Sequence, residues 1–117
     1  MAYLLLVIEP LNQRGERTEE EGRALFEEMG NYAEGLKQRG VLVGCESLKS
    51  VSQGVRVEVR NGERRLLDGP FAEAKEMVGG FLLLNCDTRE EAVAIATACP
   101  AARWCSIEVR EIGPCYQ

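Results

Sequence analysis

The stretch AYLLLVIE, residues 2–9, decides how the rest of the chain must be arranged. Side chains alternate sides along an extended backbone. As a strand it therefore turns Tyr3, Leu5 and Val7 to one face and Leu4, Leu6 and Ile8 to the other. A strand apolar on both faces has to be covered on both. The run is too short for a transmembrane helix, which needs about 20 apolar residues, and it has neither a basic leader nor a small-residue cleavage site. The expectation is a cytoplasmic protein with no membrane partner.

A second two-sided strand, GGFLLLNC (79–86), repeats the pattern, and VLVGCESL (41–48) and RWCSIEVREI (103–112) add further strands. Between them TEEEGRALFEEMGNYAEGLKQRG (18–40) carries the marks of a long helix. Thr18 and Glu21 form a capping box, and Glu19 to Glu21 suit the positive end of the helix dipole. Lys37 and Arg39 suit the negative end, and Gly40 stops the helix. Leu25, Met29, Tyr32 and Leu36 form an apolar stripe that Phe26 and Ala33 widen. Gly22, Gly30 and Gly35 each weaken it by about 1 kcal/mol relative to Ala, so the helix relies on packing.

The segment VRVEVR-NG-ERRLLD reads as a hairpin, because Asn61-Gly62 suits a two-residue turn with positive φ at both positions. That turn pairs Val59 with Arg64, Glu58 with Arg65 and Val57 with Leu66. After DGPF (68–71) a helical turn is expected around Glu73 to Met77. DTREEAVAIATACP (87–100) is the second helix, with Thr88 and Glu91 as another capping box and Ala92, Val93, Ile95, Ala96 and Cys99 as its buried face. The order is βαββαβ with an added hairpin, a single α+β domain over residues 1–117 with both helices on one face of the sheet. Two helices leave the other apolar face bare. The simplest cover is a second copy related by two-fold symmetry, so a homodimer is expected.

Composition excludes several functions. A chain of 117 residues with a net charge of −5 lacks the clustered cations that nucleic-acid binding needs. It contains no histidine, which removes the commonest acid–base catalyst near neutral pH and the commonest neutral metal ligand. Its five cysteines are odd in number and show no C-x-x-C spacing, which suits free thiols. Cys86 and Cys99 lie in apolar runs as core residues, and Cys115 is expected to be exposed. No metal site and no cofactor is expected. Gly79-Gly80 opens a strand instead of a helix, so it is not a phosphate loop, and no serine sits in a nucleophile elbow. Cys105 is a nucleophile without an evident base.

Asp68 is the candidate centre, and it has two readings. As a turn residue it accepts a hydrogen bond from the Phe71 or Ala72 N–H, with Pro70 at the first helical position and Phe71 anchored in the core. As a functional residue it stands in a cleft, orienting a ligand or acting in acid–base chemistry. Phe71, Lys75, Glu46, Glu108 and Arg110 are the candidate ligand contacts around it. Glu108 and Arg110 alternate with Ile107 and Val109, so they share a face with Ser106. Tyr3 and Trp104 read as packing residues.

The sequence DGPFAEAKEMVGGFLLLNCDTREEAVAIATACPAA, followed by SIEVREI, resembles the DGPF or YCII-related family of small bacterial proteins. YLLLVIE, GVLVGCESL and VRNGERRLLDGPF fit the same pattern, so the resemblance spans nearly the whole chain. It implies a ferredoxin-like domain that pairs through its sheets as a dimeric α+β barrel. Related proteins carry a histidine–aspartate pair in a cleft, suspected to be catalytic. Asp68 matches the aspartate, but the histidine has no counterpart here. The resemblance also implies a setting beside alternative sigma factors. Three readings of function follow. The first is a dimer binding a small molecule in the cleft between its sheets near Asp68. The second is an enzyme using Asp68 without a histidine partner, and the third is a protein-interaction module.

Overall fold

The computed structural model describes residues 2–116. Four strands form one antiparallel sheet: β1 (Ala2–Pro10), β2 (Leu42–Ser47), β5 (Glu76–Asn85) and β6 (Ser106–Glu111). They lie in the order β2-β5-β1-β6. The two strands richest in apolar residues take the centre, where the backbone is paired on both sides. Helices α1 (Glu19–Gln38) and α2 (Arg89–Ala98) cover one face. This is the antiparallel α+β arrangement of ferredoxin-like domains. The hairpin, β3 (Val55–Arg60) and β4 (Glu63–Asp68), stands apart as a two-stranded sheet of its own.

The core lies between the helices and one face of the sheet. Tyr3, Leu5 and Val7 of β1 and Leu82 and Leu84 of β5 meet Leu36 of α1 and Ala92, Ile95 and Ala96 of α2. Cys86 and Cys99 are buried with them and Cys115 is exposed, as expected. Leu4, Leu6, Ile8, Phe81 and Leu83 turn to the other face and stay only half-buried. The two-sided pattern of AYLLLVIE is therefore real, and the chain itself covers one side of it.

Local signals hold closely. Thr18 accepts from the Glu21 N–H while the Glu21 carboxylate accepts from the Thr18 N–H, so the capping box is complete. Gly40 takes a positive φ of 76° just beyond α1. Asn61 and Gly62 have φ of 54° and 80°, and the hairpin pairs in the expected register. At α2 the Thr88 hydroxyl accepts from the Glu91 N–H, but the Glu91 carboxylate reaches the Asp87 N–H at 3.3 Å instead of closing the box.

Three expectations are corrected. No helical turn forms around Glu73 to Met77; a turn there gives way to β5 at Glu76, because Met77 is drawn into the core and the strand extends to meet Pro10. No helix begins at Pro70 between β4 and β5, so Asp68 has no helix start to cap. Phe26 and Val93, assigned to buried faces, are 66% and 38% exposed. Phe26 stands clear because the first half of α1 does not sit down on the sheet.

Candidate functional site

The site begins with an acid in a core register. Glu9 follows Tyr3, Leu5 and Val7 on the helix-facing side of β1, and it is the buried charged residue of the described chain, at 7% exposure. A buried carboxylate needs a cation and donors. Arg14, in a short turn just after β1, supplies them. Its Nε donates to Glu9 Oε1 at 2.6 Å and its Nη2 to Oε2 at 3.3 Å. The same guanidinium donates to the carbonyls of Leu48 at 2.8 Å and Gly79 at 3.4 Å, so one side chain ties together β1, the end of β2 and β5.

Gly79 makes room for this pair. Val7 pairs with Gly80 and Ile8 with Val78, which leaves Gly79 as the extra residue of a bulge in β5. A Cβ built there would lie 1.9 Å from Glu9 Oε2. The GG within the strand is thus explained by close approach of a side chain, at Gly79, and of the Glu46 carbonyl, 2.9 Å from a Cβ at Gly80.

Above the pair the first half of α1 stands away from the sheet. Leu36 is buried and the Tyr32 hydroxyl donates to the Ile95 carbonyl at 2.6 Å, which seats the far half. Glu28 pairs with Arg103 across the middle. Between the near half and the sheet lies a cleft of about 670 Å³. Leu25, Phe26, Met29 and Ala33 of α1 form one wall, Cys45 and Leu82 of the sheet the other, and Trp104 and Cys105 close the end. Glu9, Arg14, Arg17, Glu19 and Arg23 are among its polar groups. Gln13 holds the closed end, its Nε2 donating to the Trp104 carbonyl at 2.5 Å and its Oε1 accepting from Cys105 Sγ at 3.4 Å.

Burial, and then the Glu9 carboxylate, push the Cys105 thiol from 9.0 up to about 11, against a weaker opposite pull from Arg17 and Arg14. It stays protonated at neutral pH, which removes the thiolate a nucleophile requires. No cluster of three or more potential metal-ligating residues is present among the described residues.

The candidate residues read from sequence lie elsewhere. Asp68 is exposed at the end of β4, and among the described residues its carboxylate accepts no hydrogen bond. Phe71 is buried, with the Arg56 guanidinium 3.8 Å from its ring centre, and it anchors the base of the hairpin. Gly69 lies against the loop before β3, its N–H donating to the Gly54 carbonyl at 2.9 Å, and a Cβ there would meet the Val51 carbonyl at 1.8 Å. Lys75 is exposed, its carbonyl accepting from the Leu11 N–H. Glu108 and Arg110 pair with each other at 3.1 Å and share the open face of the sheet, opposite Leu6 and Leu4. Glu46 is exposed, pairs with Phe81, and alone among these six also borders the cleft.

Sequence reasoning passed over Glu9, Arg14 and Gly79. The signal for Glu9 was its register, an acid continuing the row of Tyr3, Leu5 and Val7.

The YCII-related domain model matches residues 1–115. The chain belongs to the YCII-related family. A protein of Rhizobium meliloti described as uncharacterized is 26% identical to it over 96 residues, covering 82% of this chain and 77% of that protein. The resemblance carried by DGPF and its flanks is thereby confirmed over the whole domain. The histidine–aspartate pair suspected in related YCII-type proteins has no first member in this chain, which contains no histidine. No helix of the described residues is long and apolar enough to cross a membrane.

Proposed function

We propose that this YCII-related protein binds a small, largely apolar molecule in the cleft between α1 and the sheet, and that it works as a homodimer paired through the open faces of its sheets. The cleft carries the reading. Its volume, about 670 Å³, falls within the range of small-molecule sites, and it joins an apolar lining to a few fixed polar groups. Binding without turnover is favoured over catalysis for chemical reasons. Glu9 is engaged by Arg14, Cys105 is held as a thiol, and no histidine is present. Asp68, the candidate acid–base residue, has an open surround that offers little desolvation.

The homodimer is supported by the half-buried apolar row of Leu4, Leu6, Ile8, Phe81 and Leu83 on the uncovered face. Glu108, Arg110 and Glu46 stand on that same face and would line a cavity between two sheets. Asp68 would join such an inter-sheet site only if a partner brought its hairpin there. The association with alternative sigma factors comes from the family resemblance alone and has no counterpart in the geometry.

Trp104 is the single tryptophan and borders the cleft, so its emission reports occupancy. Titrating the neutral dye phenylnaphthylamine should quench Trp104 saturably and sensitise the dye, and Ala33→Phe, which fills the cleft, should abolish both effects. An unsaturable response, or one that Ala33→Phe leaves intact, overturns the reading.

A further inference from the structure

We infer that the cleft selects an apolar monoanion, with an aryl or alkyl carboxylate as the simplest class, and that Arg17 receives its charge. The inference rests on the cleft reading above and concerns the charges that border it.

Three arginines line the cleft. Arg14 is committed, since its donors serve Glu9, Leu48 and Gly79. Arg23 faces Glu19 one helical turn away at 2.7 Å. Arg17 is half-buried, yet among the described residues its side chain makes neither an ion pair nor a hydrogen bond. Of the acids beside it along the chain, Glu16 and Glu20 are exposed and make no ion pair with it among the described residues, and Glu21, though within reach of its field, is held by the Thr18 N–H at 2.8 Å in the capping box. The acids of the lining are engaged or turned away. Glu9 and Glu19 are paired, and Glu46 stands in a register that faces the open side of the sheet. Cys105 stays neutral and adds no negative charge.

The uncommitted charge at the cleft is therefore positive, although the chain as a whole carries −5. Phe26 lies on the same border and is 66% exposed. A large apolar side chain and an unpaired guanidinium lining one cleft match a ligand with an apolar body and an anionic end. The guanidinium would hold a carboxylate with two parallel N–H···O bonds.

Two dyes of similar aromatic body separate this inference from the reading beneath it. Anilinonaphthalene sulfonate carries one negative charge; phenylnaphthylamine carries none. With Trp104 emission as the readout, Arg17→Gln should weaken the sulfonate about tenfold while changing the neutral dye less than about twofold, the loss expected for one charge-assisted contact. Raising the salt concentration should weaken the sulfonate alone. Arg17→Lys should keep part of the preference, and circular dichroism should show each variant folded. If Arg17→Gln changes both dyes alike, or neither, Arg17 is not the anion partner and the cleft remains an apolar site. If neither dye binds saturably, or Ala33→Phe binds both as well as the parent, the cleft reading fails and this inference fails with it.

Discussion

Gly79 shows how one missing side chain holds a buried charge in place. The Glu9–Arg14 pair fills the space a Cβ would need, so Gly79→Ala forces the carboxylate away from its guanidinium. Separating a buried pair costs about 3 kcal/mol, towards the low end because Arg14 is partly exposed. Urea denaturation should show that loss for Gly79→Ala, and an added cost below about 1 kcal/mol when the change is made in Glu9→Ala, where the obstructing carboxylate is gone. Full additivity would mean the contact is not what excludes a side chain. Cys105 offers a second test at this scale. Its folded value of about 11 lies above the ordinary 9.0, so its protonated form is favoured by folding. That contribution is complete below pH 9 and is lost as pH rises towards 11. Iodoacetamide followed by peptide mass spectrometry should label exposed Cys115 first and Cys105 only at strongly alkaline pH. Rapid labelling of Cys105 in the folded protein at neutral pH would count against a thiol held protonated.

At the scale of the element, α1 is unevenly seated. Its apolar stripe was plain in the sequence, but a periodic stripe says only which residues share a face, not how closely that face meets the sheet. Leu36 is 1% exposed and Phe26 66%. Leu36→Ala should therefore cost about 3 kcal/mol through the lost burial and the cavity left behind. Phe26→Ala should cost less than about 0.5 kcal/mol, as surface changes do. Equal costs in thermal or urea unfolding would mean the helix packs along its whole length and the cleft is closed in solution. DGPF is a second element of this kind. Its local pattern suits a helix start with a capping acid, whereas Gly69 is packed on the Val51 carbonyl and Phe71 under Arg56, and they hold the root of the hairpin. Those contacts join residues many positions apart, which no local turn rule describes.

The whole molecule is thin and spread. Its radius of gyration is 16.0 Å, against about 13 Å for a compact chain of this length, and its shortest dimension is 19 Å. The hairpin accounts for part of this, with Val55, Val57, Val59 and Leu66 at least half exposed. A hairpin alone is marginally stable in water, and the bare sheet face adds a further apolar surface. A second copy laid on that face would cover it. Leu6→Glu places a charge at the centre of the face, opposite Phe81 and Glu108, without touching the core on the helix side. Sedimentation equilibrium should find the parent as a dimer and Leu6→Glu as a folded monomer. A parent that sediments as a monomer, or a variant that stays dimeric, removes the sheet-to-sheet pairing.

By itself the sequence determined both helices and the strands apart from the start of β5, the caps of α1, the hairpin register and the two-sidedness of AYLLLVIE. Each of these follows from forces that act within a few residues: alternation along a strand, the spacing of a helix face, donors left free at a helix start, and the positive φ of Asn61-Gly62. Tertiary structure alone decided the site. Glu9, Arg14 and Gly79 meet, with Trp104 on the same cleft, because β5 carries a bulge opposite Val7 and Ile8, because Arg14 folds back from its turn, and because α1 rests on its far half. A buried carboxylate finds its cation through the packing of whole elements, and the spacing of residues along the chain does not encode that distance.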